Sequence, residues 1–203
     1  YECKAMGTFR KDKIRPLVGD NVEIDILDDK DMEGSITKIL PRKNDLIRPG
    51  GAKIDQALVV FAVTQPEPHF NLLDRFLVMM ERKEIPTVLC FNKTDIAESP
   101  AITELKEIYS GCGYPVIFTS AREEENISQL KELLKGKTTA IAGPSGVGKS
   151  SLINLLQSEV RMETGSISRK IARGKHTTRH SELIVLGEDS YIMDTGIQFS
   201  LCK

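Results

Sequence analysis

Gly143-Pro144-Ser145-Gly146-Val147-Gly148-Lys149-Ser150 decides the reading of this chain. The stretch has the G-x-x-x-x-G-K-S spacing of a phosphate-binding loop. A short β-type run, Thr138-Thr139-Ala140-Ile141-Ala142, precedes it, and Leu152, Ile153, Leu155 and Leu156 recur at helical spacing after it. Strand, loop and helix in that order is the setting such a loop requires. Its glycines let backbone N–H groups converge on phosphate oxygens with no Cβ in the way. The helix that follows points its positive end at the same place. Lys149 supplies a point charge for the β- and γ-phosphates, the Ser150 hydroxyl is placed for Mg²⁺, and Ser151 completes the binding stretch.

Upstream of the loop, strands and helices alternate. Residues 57–63 form a continuous apolar run, as expected of a strand covered on both faces. Leu72, Leu73, Phe76, Leu77 and Met80 recur at helical spacing and read as packing. A second buried strand spans 86–91, a helix lies around 102–109, a third strand covers 115–119, and a helix around 127–134 leads to the strand before the loop. This alternation predicts an α/β domain with a parallel sheet and helices on both faces. Ligands of such sheets sit at the carboxyl ends of the strands.

Two further motifs fall at those ends. Asn92-Lys93-Thr94-Asp95 directly follows the second strand and matches N-K-x-D, the guanine-reading pattern. A carboxylate at Asp95 can accept from both guanine N1–H and the exocyclic amine, a donor pair that adenine lacks. Asn92 can brace the loop and meet guanine N7, and the Lys93 stem can cover the base face. Ser120-Ala121-Arg122 follows the third strand. It resembles the S-A-K/R loop whose Ala N–H meets guanine O6, and the resemblance implies that contact for Ala121.

Downstream of the loop, Lys175-His176-Thr177-Thr178 lies in a basic stretch. Thr177 is a candidate to complete the Mg²⁺ coordination. Residues 183–186 and 191–193 read as a strand hairpin that ends on Asp194, which fits a residue holding Mg²⁺ through water. From Arg161 to His180 there are six Lys or Arg and a single acid, a net charge of +5 within a chain of overall charge −1. Arg10, Lys11, Lys13 and Arg15 form a second basic set. Charge runs are commonly solvated surface; phosphate backbones are the alternative partner.

Residues 1–50 differ in kind. Residues 22–26 and 34–39 alternate apolar and polar side chains, with turn-like Asp28-Asp29-Lys30-Asp31 between them and Pro41, Pro49, Gly50 and Gly51 after them. Short strands without helices predict a small β-barrel or sandwich. About 50 residues is small for an independent core, so part of the barrel is expected to precede Tyr1, which is not an initiator Met. No apolar run approaches the ~20 residues needed to span a bilayer. Cys3, Cys90, Cys112 and Cys202 form no C-x-x-C pair and read as reduced thiols, in keeping with a cytoplasmic location and no membrane partner.

Base-reading motifs therefore precede the phosphate loop, whereas ordinary Ras-like GTPases begin with that loop. With this permuted order, the preceding β-rich segment and Gly174-Lys175-His176-Thr177-Thr178, the chain resembles the bacterial ribosome-small-subunit-dependent GTPase family, RsgA (also called YjeQ). The resemblance implies residues 1–50 as a partial OB-like β-barrel and 51–203 as a circularly permuted P-loop GTPase domain. It implies hydrolysis of GTP to GDP with Mg²⁺, stimulated by the small ribosomal subunit late in its maturation, with contact to that subunit's rRNA, by a monomer. The family also carries a C-terminal zinc domain; its Cys/His ligands are absent here, so Zn²⁺ is expected only beyond this chain. The family's second switch reads D-T-P-G-F, where this chain has Asp194-Thr195-Gly196-Ile197-Gln198. The family has an apolar residue just after its D-T-P-G, so Gln198 is not taken as a water-orienting residue. His176 is the candidate for that role, with phosphate or rRNA contact as its alternative.

Two other functions fit parts of the pattern. A guanylate-kinase-like enzyme shares the style of the loop but needs a lid and a monophosphate site, and only about 50 residues follow the loop. An rRNA-binding scaffold could hold GTP as a ligand with negligible turnover. Competition between GTP and ATP, and phosphate release with and without small subunits, separate these readings.

Overall fold

The computed structural model describes residues 1–7, 9, 14, 16–42, 44–46, 51–164, 182–187 and 189–194. Three strands come first: β1 (Glu2–Ala5), β2 (Val22–Asp28) and β3 (Glu33–Ile39). β3 is central, parallel to β1 and antiparallel to β2. In β2, Val22 and Ile24 are half-buried while Glu23 and Asp25 are exposed, the alternation of a one-sided strand. A two-stranded ribbon follows, β4 (Asp45–Leu46) against β5 (Gly51–Ala52).

Polar contacts hold this region together and tie it to Ile54, which follows the ribbon. The Asn44 side chain exchanges two hydrogen bonds with the Ile54 backbone, at 2.7 and 2.8 Å. The Arg42 guanidinium grips the Asp20 carboxylate through Nε at 2.7 Å and Nη2 at 2.8 Å, and the Leu17 N–H donates to the same carboxylate at 2.7 Å. The Asp20 side chain is only 2% exposed. Burial by itself would raise its pKa; the Arg42 contacts and the Leu17 N–H outweigh that and hold the carboxyl below its ordinary value.

The larger domain is built on a six-stranded sheet. Its elements are β6 (Gln56–Ala62), α1 (Phe70–Arg82), β7 (Thr87–Asn92), α2 (Ser99–Tyr109), β8 (Val116–Thr119), α3 (Ile127–Leu134), β9 (Thr138–Ala142), α4 (Lys149–Thr164), β10 (Glu182–Gly187) and β11 (Ser190–Asp194). The order across the sheet is β10-β11-β9-β6-β7-β8. All neighbours are parallel except the β10–β11 hairpin, which adds an antiparallel edge.

β6 is buried along its whole length because both faces are covered. Leu58, Val60 and Ala62 pack with Leu130 and Leu134 of α3 and Leu152, Ile153 and Leu156 of α4. Val59 and Phe61 face Leu73, Phe76 and Leu77 of α1 and Leu105 and Tyr109 of α2. Period-two alternation along one strand thus serves two cores. His69 caps α1 by accepting from the Leu72 N–H, and Pro100 sits in the first turn of α2. The chain runs from β6 outward to β7 and β8 on one side, then returns to β9 and β11 on the other. A reversal of that kind opens a crevice at the carboxyl ends of the strands.

Candidate nucleotide-binding site

The phosphate-loop motif leaves the carboxyl end of β9 and the base-reading motif leaves that of β7, with β6 between them. Register pairs Ala142 with Val59 and Asn92 with Ala62, so both loops emerge at the same end of the sheet. Gly143 has φ +146°, and a Cβ there would lie 2.0 Å from the Val60 carbonyl oxygen. Gly148 has φ +94°, and a Cβ there would lie 2.3 Å from Asn92 Nδ2. Glycine at both positions is a demand of backbone conformation and close approach together.

Asn92 joins three loops. Its Nδ2 donates to the Val147 carbonyl at 2.9 Å, while its Oδ1 accepts from the Thr119 hydroxyl and from the Ala121 N–H, both at 3.1 Å. The side chain is 1% exposed, so these bonds replace water it has lost. The Ala121 N–H donates to Asn92 Oδ1, an amide oxygen with acceptor capacity for both of its donors. Next to Asn92, the Cys90 thiol is pushed up to about 12 by burial, against the opposing effect of its contact with Thr119, and stays protonated.

Lys93 has left-handed backbone, φ 71°, and its ammonium donates to the Gln65 carbonyl in the loop after β6. Asp95 lies in a single 3-10 turn, Thr94–Ile96, exposed at the rim. Its Oδ1 accepts from the Ser120 hydroxyl at 2.7 Å, and Ser120 Oγ in turn accepts from the Glu123 N–H at 3.0 Å. Thr94 Oγ1 donates to Glu125 Oε2 at 2.7 Å. Arg122 turns outward, its side chain 75% exposed and 3.7 Å from Glu123.

Lys149 begins α4 and folds back over its own loop, donating to the carbonyls of Gly143 at 2.7 Å and Pro144 at 2.6 Å. Burial lowers its pKa, while the negative charge of Asp194 works the other way. Asp194 ends β11, paired with Ile141 one residue short of the end of β9. Ser145, Gly146, Ser150 and Ser151 are exposed, whereas Val147 is buried. His176, Thr177, most of the basic 161–180 stretch, Arg10, Lys11, Lys13, Arg15 and Gln198 lie outside the described residues. Among the described residues no group of three His, Cys, Asp or Glu could hold a metal ion, and no helix is long and apolar enough to cross a membrane.

Thr119, Gln65 and Glu125 enter the site without any motif to announce them. Their partners lie 27 to 31 positions away in the chain. The one sequence signal available was position, since Thr119 ends a strand at the edge where ligands bind.

Fold and site together define a circularly permuted P-loop GTPase-type domain, preceded by a small OB-like sheet. Comparison with known proteins agrees. A family model described as RsgA GTPase matches residues 39–199, and one described as RsgA N-terminal domain matches residues 1–36. The chain belongs to the RsgA GTPase family.

Among curated relatives, the small ribosomal subunit biogenesis GTPase RsgA of Agathobacter rectalis is 59% identical over 96% of this chain and 65% of its own length. Its counterpart in Alkaliphilus metalliredigens is 52% identical over 96% of this chain and 67% of its own length. The chain thus spans about 65% of the first of these relatives. Among solved structures, YjeQ from Thermotoga maritima superposes with a TM-score of 0.76 at 37% identity, covering 95% of this chain and 64% of that one. YloQ, described as a circularly permuted GTPase, gives 0.71 at 36% identity, covering 98% and 63%.

Proposed function

We propose that this chain binds GTP with Mg²⁺ and hydrolyses it, as part of a factor that assembles the small ribosomal subunit. The observation that carries the nucleotide reading is the hydrogen bond from Asn92 to Val147, which ties the base-reading motif to the phosphate loop. With Asp95 at one end and Lys149 at the other, the crevice carries groups for a guanine and for a polyphosphate. The proposed guanine-reading residues are Asn92 to Asp95 and Ser120 to Arg122; the proposed phosphate-binding residues are Gly143 to Ser151.

The donor set fits a hard divalent cation. The Ser150 hydroxyl in α4 and the Asp194 carboxylate at the end of β11 would supply oxygens, and Lys149 feels the charge of Asp194. Thr177 would add a third oxygen. When bound, Mg²⁺ neutralises charge developing on the β- and γ-phosphates. This chain's part is to hold the triphosphate by backbone N–H groups and to shift Lys149 from its carbonyl partners to phosphate. His176 is the candidate for orienting the attacking water.

Two of the relatives are named as small ribosomal subunit biogenesis GTPases, and this supports the ribosomal role. We read residues 1–50 and the basic 161–180 stretch as rRNA-facing, with 51–203 as the catalytic domain of a cytoplasmic monomer. The decisive experiment measures phosphate release from GTP and ATP, with and without purified small subunits. Subunit-stimulated release from GTP alone is expected; equal displacement of bound GDP by ATP and GTP overturns the guanine reading, and absence of turnover leaves a GTP-liganded scaffold.

A further inference from the structure

We propose that Glu125 is a positioning residue for purine specificity, acting through Thr94 on the Asp95 carboxylate. The proposal rests on the guanine reading above and deepens it. The carboxylate assigned to the base is exposed and sits on one 3-10 turn. A rim carboxylate of this kind samples several rotamers unless neighbours restrict it. Here a closed ring of hydrogen bonds does so. Asp95 Oδ1 accepts from Ser120 Oγ. Ser120 and Glu125 exchange both backbone hydrogen bonds, Ser120 N–H to Glu125 O at 3.3 Å and Glu125 N–H to Ser120 O at 3.0 Å. Glu125 Oε2 accepts from Thr94 Oγ1 at 2.7 Å, and Thr94 adjoins Asp95.

Each bond has a separate duty. The Ser120 hydroxyl occupies one carboxylate oxygen of Asp95. The Thr94–Glu125 bond holds the turn that carries Asp95 against the Ser120–Glu125 loop. Glu125 alone among the three consecutive acids can do this. Glu123 gives its N–H to Ser120 and lies beside Arg122. Glu124 has left-handed backbone at φ 54° and is exposed at the loop tip. Bidentate reading of guanine by Asp95 needs a fixed carboxylate plane, whereas a base offering only N1–H tolerates a looser one. Loosening the ring therefore weakens guanine more than hypoxanthine.

The test measures binding of GDP, IDP and ADP to the full 203-residue chain and to the variants Glu125→Ala, Glu125→Gln, Thr94→Val and the Glu125→Ala/Thr94→Val pair. Wild type is expected to prefer GDP to ADP. Glu125→Ala and Thr94→Val are expected to lower the GDP-to-IDP affinity ratio about three- to tenfold, the scale of one hydrogen bond to a charged acceptor near the surface. Glu125→Gln keeps an acceptor oxygen and is expected to retain most of the ratio. The paired variant is expected to lose no more than either single one. A ratio unchanged in Glu125→Ala, or losses that add in the pair, overturns the proposal while leaving the guanine reading intact. Equal affinity of wild type for ADP and GDP instead overturns the guanine reading itself. Glu125 is exposed and Thr94 half-buried, so both variants are expected to fold; should either one not, the other carries the same comparison.

Discussion

Asn92 Nδ2 lies 2.9 Å from the carbonyl oxygen of Val147, across 55 positions of chain, and that contact makes one site of two motifs. Removing the Asn92 side chain takes the side-chain partner from the Val147 carbonyl and the half-buried Ala121 N–H, and leaves the buried Thr119 hydroxyl with the Cys90 thiol as its side-chain partner. Asn92→Ala is expected to cost about 3 kcal/mol of stability and to weaken GDP binding at least about tenfold. Thermal unfolding with and without GDP, together with a GDP titration, checks both effects.

Gly148 is predicted to be intolerant of any side chain. Its φ of +94° disfavours other residues, and an added Cβ meets Asn92 Nδ2 at 2.3 Å. Gly148→Ala must push Asn92 off Val147, so its loss of nucleotide affinity should match that of Asn92→Ala. The double variant should lose little more than either single one, because both break the same contact. Titration of the three variants with GDP tests this.

Lys149 donates its hydrogen bonds to the Gly143 and Pro144 carbonyls. Gly143 is buried and Pro144 half-buried, so their carbonyls lose a partner, but the variant also removes an ammonium that burial disfavours. The two effects oppose, and Lys149→Ala should change stability by no more than about 1 kcal/mol. Affinity for GTP should fall about 30- to 100-fold, the scale of a charge-assisted phosphate contact. Normal unfolding with lost GTP binding is the expected pair of results.

The Asp20–Arg42 pair predicts an acid-sensitive clamp near the base of the small sheet. The folded protein holds the Asp20 carboxyl below its ordinary 3.8. Between the folded value and 3.8 the unfolded chain binds more protons, so stability rises with pH there. The contribution is complete above 3.8 and disappears as pH falls through the folded value. Asp20→Asn should cost about 2 kcal/mol at neutral pH. It should also flatten the acid limb of a stability-against-pH curve; a limb of unchanged steepness counts against the clamp.

Asp95→Asn should redirect base choice. An amide at this position accepts from purine N1–H and donates to a carbonyl at C2, which xanthine has and guanine replaces with an amine. Affinity should move from guanine to xanthine nucleotides, with a discrimination change of about 100-fold or more. Competition between GDP and XDP measures it directly.

Much of this was legible in the residues. The helical spacing of Leu73, Phe76, Leu77 and Met80 and the apolar run at 57–63 are local signals, and each became the element they announce. The two loops were legible because their chemistry is written in contiguous residues. The ring through Thr94, Glu125, Ser120 and Asp95 was not, nor was the commitment of the Ala121 N–H to Asn92. Both depend on which strand ends lie side by side, and no spacing in the chain encodes that.

By itself, the sequence determined that residues 143–150 carry the spacing of a phosphate loop between a strand and a helix and that the base-reading motif comes before them, because a loop's conformation and donors follow from neighbouring residues. Only the tertiary structure decided that Asn92 reaches Val147, that Lys149 feels Asp194 and that Asp20 meets Arg42. Those relations arise when the sheet brings distant strand ends and loops within hydrogen-bonding or Coulombic range, a consequence of packing that local chemistry cannot supply.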